Sequence, residues 1–404
     1  MYIFKAAVVG AGAMGGAIAQ VISYAGLPVV LKDIDQAALQ AGLDHARAIY
    51  EGRVNKGKMS STEMMNKLAL IEGSLTYDGF DDVDIVIEAV PEKMAIKRAV
   101  FADLDKVLPA GSIIVSNTSA LPISEMAAAT GRADRVAGLH FFNPANVMKL
   151  VEVVPGAQSS PETIEDIVGF AQTLRKIAIV VKECPGFLVN RILAPYVGEA
   201  VFCLQEGAAT AEAIDEAMRE YGWPMGPFTL TDFVGIDISA DVAETLETAY
   251  GARMHAPRLL KTLVESGRTG EKGGVGFFNY GDDESGESLE AIIERVGAKD
   301  PKSVFTPERL MYALINETAR CAEEGIATLP DIDIAMIAGT GMAVGGEQLG
   351  PLALADKIGL DTLLAELEAL TASYGARFEP AAILRQKVAA GETGVKAGRG
   401  FFEY

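Results

Sequence analysis

Residues 6–31 carry no charged side chain, a run long enough on hydropathy alone to cross a bilayer. Five glycines and Pro28 rule that out, because they break the run into strand, turn, helix and second strand. What remains is a buried strand from Ile3 to Val9, then Gly10-Ala-Gly12-Ala-Met14-Gly15, an apolar helix from Met14 to Ala25, and a strand from Pro28 to Lys32 closing on Asp33. Glycines at that spacing between strand and helix bring backbone amides against the pyrophosphate of a dinucleotide. Gly10 permits the tight turn, Gly12 lets the backbone approach the phosphates, and Gly15 lets the helix pack close to the sheet. Asp33 would accept hydrogen bonds from the adenosine ribose hydroxyls and repel a 2′-phosphate, so NAD is expected over NADP.

A chain of 404 residues has room for two or three domains with sizeable cores, and half of it is hydrophobic with an ordinary charged fraction, as in a soluble globular protein. Its formal charge of −20 argues against non-specific binding to nucleic acid or anionic membrane. The same charge means that any polyanionic ligand must be held by local positive charge or backbone amides. Cys184, Cys203 and Cys321 are odd in number, widely spaced and without metal-ligand spacing, so no disulfide and no metal are expected. With no basic, serine-rich leader ahead of the first strand and no peroxisomal address at Gly400–Tyr404, the expectation is a cytoplasmic protein without membrane insertion.

Proton chemistry has few candidates, since the chain holds three histidines. His45, in a helical run, and His255, in the turn-like GARMHAPR, have no comparable polar setting in the sequence. His140 does. It closes a strand in the stretch from Ser116 to Glu152, where a buried strand (Ser112 to Ser116), a polar turn with Ser119, a short helix, and a further strand bearing Glu152 are expected. A carboxylate can fix one imidazole tautomer and stabilise the imidazolium while the other nitrogen takes a proton from a substrate hydroxyl.

Four segments, SNTSALPIS (116–124), GLHFFNP (138–144), MKLVEVV (148–154) and CPGFLVNR (184–191), resemble in sequence and order the 3-hydroxyacyl-CoA dehydrogenases of fatty-acid β-oxidation. The resemblance covers nearly the whole chain. It implies an α/β Rossmann-type NAD-binding domain followed by two tandem all-α dehydrogenase C-terminal domains, and oxidation of a (3S)-3-hydroxyacyl-CoA to the 3-oxoacyl-CoA. Carried over by position, His140 is the catalytic base, Glu152 its partner, and Ser119 and Asn190 the hydroxyl and amide that meet the substrate. The same comparison makes Gly10, Gly12, Met14, Gly15, Asp33, Glu92, Lys97, Ser119, Asn143 and Lys272 contacts of NAD. Lys56, in the basic run Arg53–Lys58 of a helical hairpin, falls where the family meets the coenzyme A phosphates. A solvated charged face explains that run nearly as well, and a serine the family also offers from the preceding helix is Ile49 here. Pro91 and Glu92 also read as an ordinary helix start, which alone would account for Glu92.

The strand Ile177 to Val181 closes the first domain, and a helix beginning at Phe187 is expected to carry Asn190. Beyond it lies an internal repeat. LQEGAATAEAIDEAM (204–218) returns as AEEGIATLPDIDIAM (322–336), GPFTLTDFVGID (226–237) as GPLALADKIGLD (350–361), YGAR (250–253) as YGAR (374–377), and GEKGGVGFFNY (270–280) as GVKAGRGFFEY (394–404). The expected domains are 1–183, 184–281 and 303–404, with 282–302 an acidic linker holding one amphipathic helix. Asn190 is replaced by Glu308 in the second copy, so one active site per chain is expected. The second copy would then serve as an internal pseudo-dimer partner. Lys272 has Lys396 as its counterpart, which favours a structural role for both at least as much as a cofactor contact. A dehydrogenase of a small hydroxy acid without coenzyme A, or a subunit docking to a hydratase or thiolase, are the alternative functions.

Overall fold

The computed structural model describes residues 1–281 and 286–404, and these divide into two compact units, Met1–Phe187 and Leu188–Tyr404. The first unit runs β1 (Ala6–Val9), α1 (Ala13–Ala25), β2 (Val29–Lys32), α2 (Gln36–Asn55), α3 (Ser61–Leu68), β3 (Ile71–Ser74), β4 (Ile85–Glu88) and α4 (Met94–Val107). It continues through β5 (Ile113–Ser116), α5 (Ile123–Ala127), β6 (Val136–Phe141), β7 (Leu150–Pro155), α6 (Pro161–Thr173) and β8 (Ile177–Val180). These strands form one sheet in the order β3-β2-β1-β4-β5-β6-β7-β8.

Every strand pair is parallel except β6 and β7. Strands such as β1 (AAVV) are apolar at every position because helices cover both faces of a parallel sheet, and all four β1 residues are buried. The carboxyl ends of β1, β2, β4, β5 and β6 therefore share one edge, where open parallel sheets of this kind bind their ligands. The β6–β7 hairpin reverses direction and sets His140 opposite Glu152 in register.

Boundaries differ from the sequence expectation in small, explicable ways. α4 begins at Met94 after an N-cap at Lys93, so Pro91 and Glu92 precede the helix. The C-terminal helix begins at Val189, because Phe187 sits at φ 48°, outside the right-handed helical region. β6 extends one residue past His140 to Phe141.

The second unit is helical among its described residues: α7 (Val189–Glu206), α8 (Ala211–Tyr221), α9 (Pro227–Val234), α10 (Ile236–Tyr250), α11 (Arg258–Glu265), α12 (Leu289–Val296), α13 (Pro307–Glu323), α14 (Leu329–Thr340), α15 (Pro351–Ile358), α16 (Leu360–Tyr374) and α17 (Ala382–Ala389). Residues 282–285 of the expected linker lie outside the described residues, and α12 is its helix.

Repeated residues make repeated bonds. Asp215 accepts from Phe228 and Thr229 amides at the start of α9, and Asp333 from Leu352 and Ala353 amides at the start of α15. Asp232 accepts from the amides of Phe277 and Phe278 and from the Tyr280 hydroxyl; Asp356 does the same with Phe401, Phe402 and Tyr404. A Cβ at Gly276 would lie 2.1 Å from Asp232 Oδ1 and one at Gly400 2.0 Å from Asp356 Oδ1, which is why both copies read GFF at that turn.

α7 and α13 pack against each other and exchange buried ion pairs in matching positions. Arg191 donates through Nε to Glu317 at 2.7 Å and through both terminal nitrogens to Glu324 at 2.7 and 2.9 Å. Arg309, its counterpart, donates to Glu199 at 3.0 Å and Glu206 at 2.9 Å. Arg377 also engages Glu199 and Glu206, as its counterpart Arg253 engages Glu317 and Glu324.

Candidate active site

At the end of β1, Gly10 has φ +103°, and a Cβ there would lie 2.5 Å from Ala89 O; one on Gly15 would lie 1.8 Å from Gly10 O. Contacts within the protein thus explain both residues. Gly12 is different, since a Cβ there would meet nothing within 4 Å. Gly12 also N-caps α1, with no side chain capping the helix and no acidic residue in its first turn. The amides at this helix start therefore face open space free of competing acids, and the residues present fit a dinucleotide pyrophosphate. Asp33 Oδ2 accepts from Ala11 N at 2.8 Å and Oδ1 from Ile34 N at 2.7 Å, which fixes the carboxylate at the end of β2 with lone pairs left for ribose hydroxyls. Met14 packs half-buried on the core behind this turn.

Along this edge, the bonds that join the candidates Glu92, Lys97 and Ser119 to each other and to Glu88 and Ser116 were not legible in the sequence. Glu88, wholly buried at the end of β4, accepts from Lys97 Nζ at 2.9 Å and from Ser116 Oγ at 2.6 Å. Lys97, also buried, reaches Glu92 Oε2 at 3.1 Å and donates to Val90 O at 3.2 Å. Glu92 Oε1 in turn accepts from Thr118 Oγ1 at 2.6 Å, Ser119 N at 3.0 Å and Ser119 Oγ at 3.3 Å. Burial by itself would raise the Glu92 carboxyl, but Lys97 and the bonds from Thr118 and Ser119 outweigh it and hold it below the usual carboxylate range. Lys97 thus bridges two carboxylates and fixes Glu92, and Glu92 fixes the turn carrying Ser119. For Glu88, the signal available beforehand was a glutamate ending the otherwise apolar strand IVIE.

Next along the edge, His140 Nδ1 lies 2.7 Å from Glu152 Oε2. His140 is 6% exposed and Glu152 is fully buried, so water does not compete for this bond. The imidazole also lies against Phe142 and Phe187, with ring centroids 4.6 and 5.9 Å apart. With Nδ1 held as donor to the carboxylate, Nε2 is the nitrogen that can accept a proton. Asn117 Oδ1 accepts from Phe141 N at 2.8 Å and ties the end of β5 to the end of β6. The loop leaving β6, which carries exposed Asn143, is held by Lys176, whose Nζ donates to Ala145 O at 2.5 Å and Met148 O at 2.6 Å. Burial pushes the Lys176 ammonium down to about 8. Neither Asn117 nor Lys176 was a sequence candidate.

The remaining candidates lie on other elements. Lys56 is exposed at the C-cap of α2, while Arg53 from the same basic run stacks on Tyr24 and donates to its hydroxyl at 2.8 Å. Asn190 lies half-buried in the first turn of α7 in the second unit. Lys272, also in that unit, donates to Asp237 Oδ2 at 2.7 Å. His255 requires a correction: its Nδ1 lies 2.6 Å from Glu247, so it does have a carboxylate partner. The α10 helix and the turn after it bring the two together across eight residues, but their side chains are 51% and 39% exposed. Among the described residues, no group of three or more His, Cys, Asp or Glu could hold a metal ion, and no helix is long and apolar enough to cross a membrane.

A doubly wound sheet with a glycine turn under a helix start, an acid at the end of β2 and a buried histidine–carboxylate pair on the same edge defines a nucleotide-dependent dehydrogenase. The 3-hydroxyacyl-CoA dehydrogenase NAD-binding domain matches residues 5–184, and the C-terminal domain of the same family matches 186–280 and again 305–404. This chain belongs to the 3-hydroxyacyl-CoA dehydrogenase family. It is 39% identical over 400 residues to the fatty acid oxidation complex subunit alpha of Shewanella amazonensis, covering 97% of this chain and 56% of that protein. The chain thus spans little more than half the length of the curated relatives it matches. Among solved structures, 3-hydroxybutyryl-CoA dehydrogenase from Escherichia coli superposes with a TM-score of 0.84 at 29% identity, covering 96% of this chain and 99% of that one. The (S)-3-hydroxybutyryl-CoA dehydrogenase PaaH1 from Ralstonia eutropha is 39% identical with a TM-score of 0.67, and its whole chain matches 70% of this one.

Proposed function

We propose that this chain catalyses reversible, NAD-dependent oxidation of (3S)-3-hydroxyacyl-CoA to 3-oxoacyl-CoA, with His140 as general base. The buried His140–Glu152 pair carries this reading. Glu152 keeps Nδ1 protonated, so Nε2 takes the C3 hydroxyl proton, and the resulting imidazolium is stabilised by the same carboxylate. NAD, when bound, supplies the hydride acceptor. Gly10, Gly12 and Gly15 would hold its pyrophosphate, Met14 would back that turn, and Asp33 would hold its ribose. Glu92, with Lys97 behind it, orients Ser119 towards the same edge, and Asn143 lies on the adjoining loop. Ser119, together with Asn190, would hydrogen-bond the reacting oxygen. Lys56 is assigned to the coenzyme A phosphates and Lys272 to NAD by family position. The long relatives are named as subunits of a fatty acid oxidation complex, which supports work within a complex; a hydratase or thiolase is the partner we propose.

The domain scheme of 1–183, 184–281 and 303–404 stands as part of this proposal, with the second helical copy in the place of a partner subunit. The matched Arg191 and Arg309 ion pairs support that arrangement, since an isologous interface pairs each residue reciprocally.

An absorbance assay for NADH with acetoacetyl-CoA and longer 3-oxoacyl-CoA esters tests the reading. His140→Ala should lower turnover by about 100-fold or more while NADH binding, read by fluorescence titration, is retained. Turnover of free hydroxy acids but not of thioesters, or undiminished turnover in His140→Ala, refutes it. Full turnover by the purified chain would exclude docking to a hydratase or thiolase as its sole role.

A further inference from the structure

Leu174 caps α6, Arg175 follows at φ 60°, and the amides of Arg175 and Lys176 return to Gln172 O at 2.8 Å and Ala171 O at 2.9 Å. These are the bonds of a Schellman motif, in which glycine ordinarily holds the left-handed position. Arg175 holds it here, at a steric cost that glycine would avoid. The motif fixes the direction of the next residue, Lys176. Ile177 N then donates to Lys149 O at 2.8 Å, which ties the start of β8 to the start of β7.

Lys176 is buried, and the oxygens its ammonium bonds are the backbone carbonyls of Ala145 and Met148. Among the described residues no carboxylate pairs with it. Burying an ammonium without a counter-charge is unfavourable, and an apolar side chain would fill the same space without that cost. What the ammonium fixes is the loop between β6 and β7. Pro144 O accepts from Val147 N and Met148 N, both at 3.0 Å, so residues 144–148 form a single turn, and Lys176 closes its carbonyl end. Asn117 ties down the start of the loop through Phe141 N, and Lys176 ties down the rest. Between these two anchors stand Asn143 and Phe142, whose ring lies against the His140 imidazole.

We infer that Lys176 is a positioning residue for the dehydrogenase reaction: by pinning the 144–148 turn it keeps Phe142 against His140 and so sets the aim of Nε2. This rests on the reading of His140 as general base and deepens it. The bond from Nδ1 to Glu152 holds one side of the imidazole but leaves the ring able to tilt, and the Phe142 ring limits that tilt. A base displaced by a fraction of an ångström still binds its partners yet meets the substrate proton poorly, so the loss falls on the chemical step.

The measurement is kcat and KM of the full chain with acetoacetyl-CoA at saturating NADH, with circular dichroism melts showing that each variant is folded at the assay temperature. Lys176→Met should lower kcat roughly tenfold or more while KM for acetoacetyl-CoA stays within about twofold. Lys176→Gln, which keeps one neutral donor, takes its place if the methionine variant does not fold. Lys176→Arg keeps a charged donor and should hold kcat within about threefold of wild type. The loss should also run through the loop, so adding Lys176→Met to Phe142→Leu should lower kcat further by only about threefold or less. Unchanged kcat in the folded methionine variant, a rise in KM in place of the kcat loss, equal kcat in the arginine and methionine variants, or the same factor in both backgrounds overturns this inference and leaves the role of His140 standing. Wild-type chain without turnover, or undiminished turnover in His140→Ala, overturns the functional reading and this inference with it.

Discussion

Replacing Arg309 by methionine tests whether the two helical copies are held as one folding unit. Arg309 is 2% exposed and lies on α13, yet its guanidinium bonds Glu199 and Glu206 on α7 and stacks over the Tyr374 ring at 3.8 Å. It also donates to Ser303 Oγ at 2.9 Å and Val304 O at 3.1 Å. Methionine keeps much of the volume but leaves buried Glu199 and part-buried Glu206 sharing Arg377. Breaking a buried pair from one side costs about 3–5 kcal/mol, chiefly because the remaining charge stays desolvated.

The loss should depend on pH in a definite direction. Burial raises the Glu199 carboxyl even with Arg377 and Arg309 opposing it, and removing Arg309 raises it further. The variant's native state then binds a proton more readily than the wild type's, so its deficit shrinks as pH falls, by up to about 1.4 kcal/mol per unit while that carboxyl titrates. Urea unfolding followed by the single tryptophan, Trp223, reads this junction. Its indole N–H points at Met311 Sδ of the second copy at 3.3 Å, and it stacks on Tyr196. A deficit below about 1 kcal/mol at neutral pH, or one independent of pH, would refute the reasoning.

The nucleotide turn and Lys176 give two further tests. Gly12→Ala should fold normally yet bind NADH several-fold more weakly, because its methyl enters space the protein leaves open; Gly15→Ala should destabilise the fold itself, because its Cβ would overlap Gly10 O. Equal melting temperatures and equal NADH affinities for both variants would contradict this. For Lys176, the folded value of about 8 lies below the ordinary 10.5, so between those values the unfolded chain binds more protons and stability rises with pH. Melts by circular dichroism should therefore show wild type gaining on Lys176→Met across that window, and a constant difference would count against the burial of a charged amine.

Much of this protein is written locally. The strand, glycine turn, helix and Asp33 follow one another in a single stretch, so their chemistry was legible without coordinates. The helical repeat was legible for the same reason, since its GFF turns and YGAR corners are contiguous strings. The pairing of His140 with Glu152 was expected from resemblance, but the antiparallel β6–β7 register is what places the two opposite each other. Other features depended on tertiary structure throughout. Glu88, Lys97, Glu92 and Ser116 meet because three adjacent elements end at one sheet edge, and no sequence window contains that meeting. Glu247 meets His255 only once α10 and the turn after it are built. Arg191 and Arg309 each look like an ordinary charged helix residue in their own segment. Their partners lie in the other copy, and only packing α7 on α13 removes these charges from water and makes their pairing obligatory.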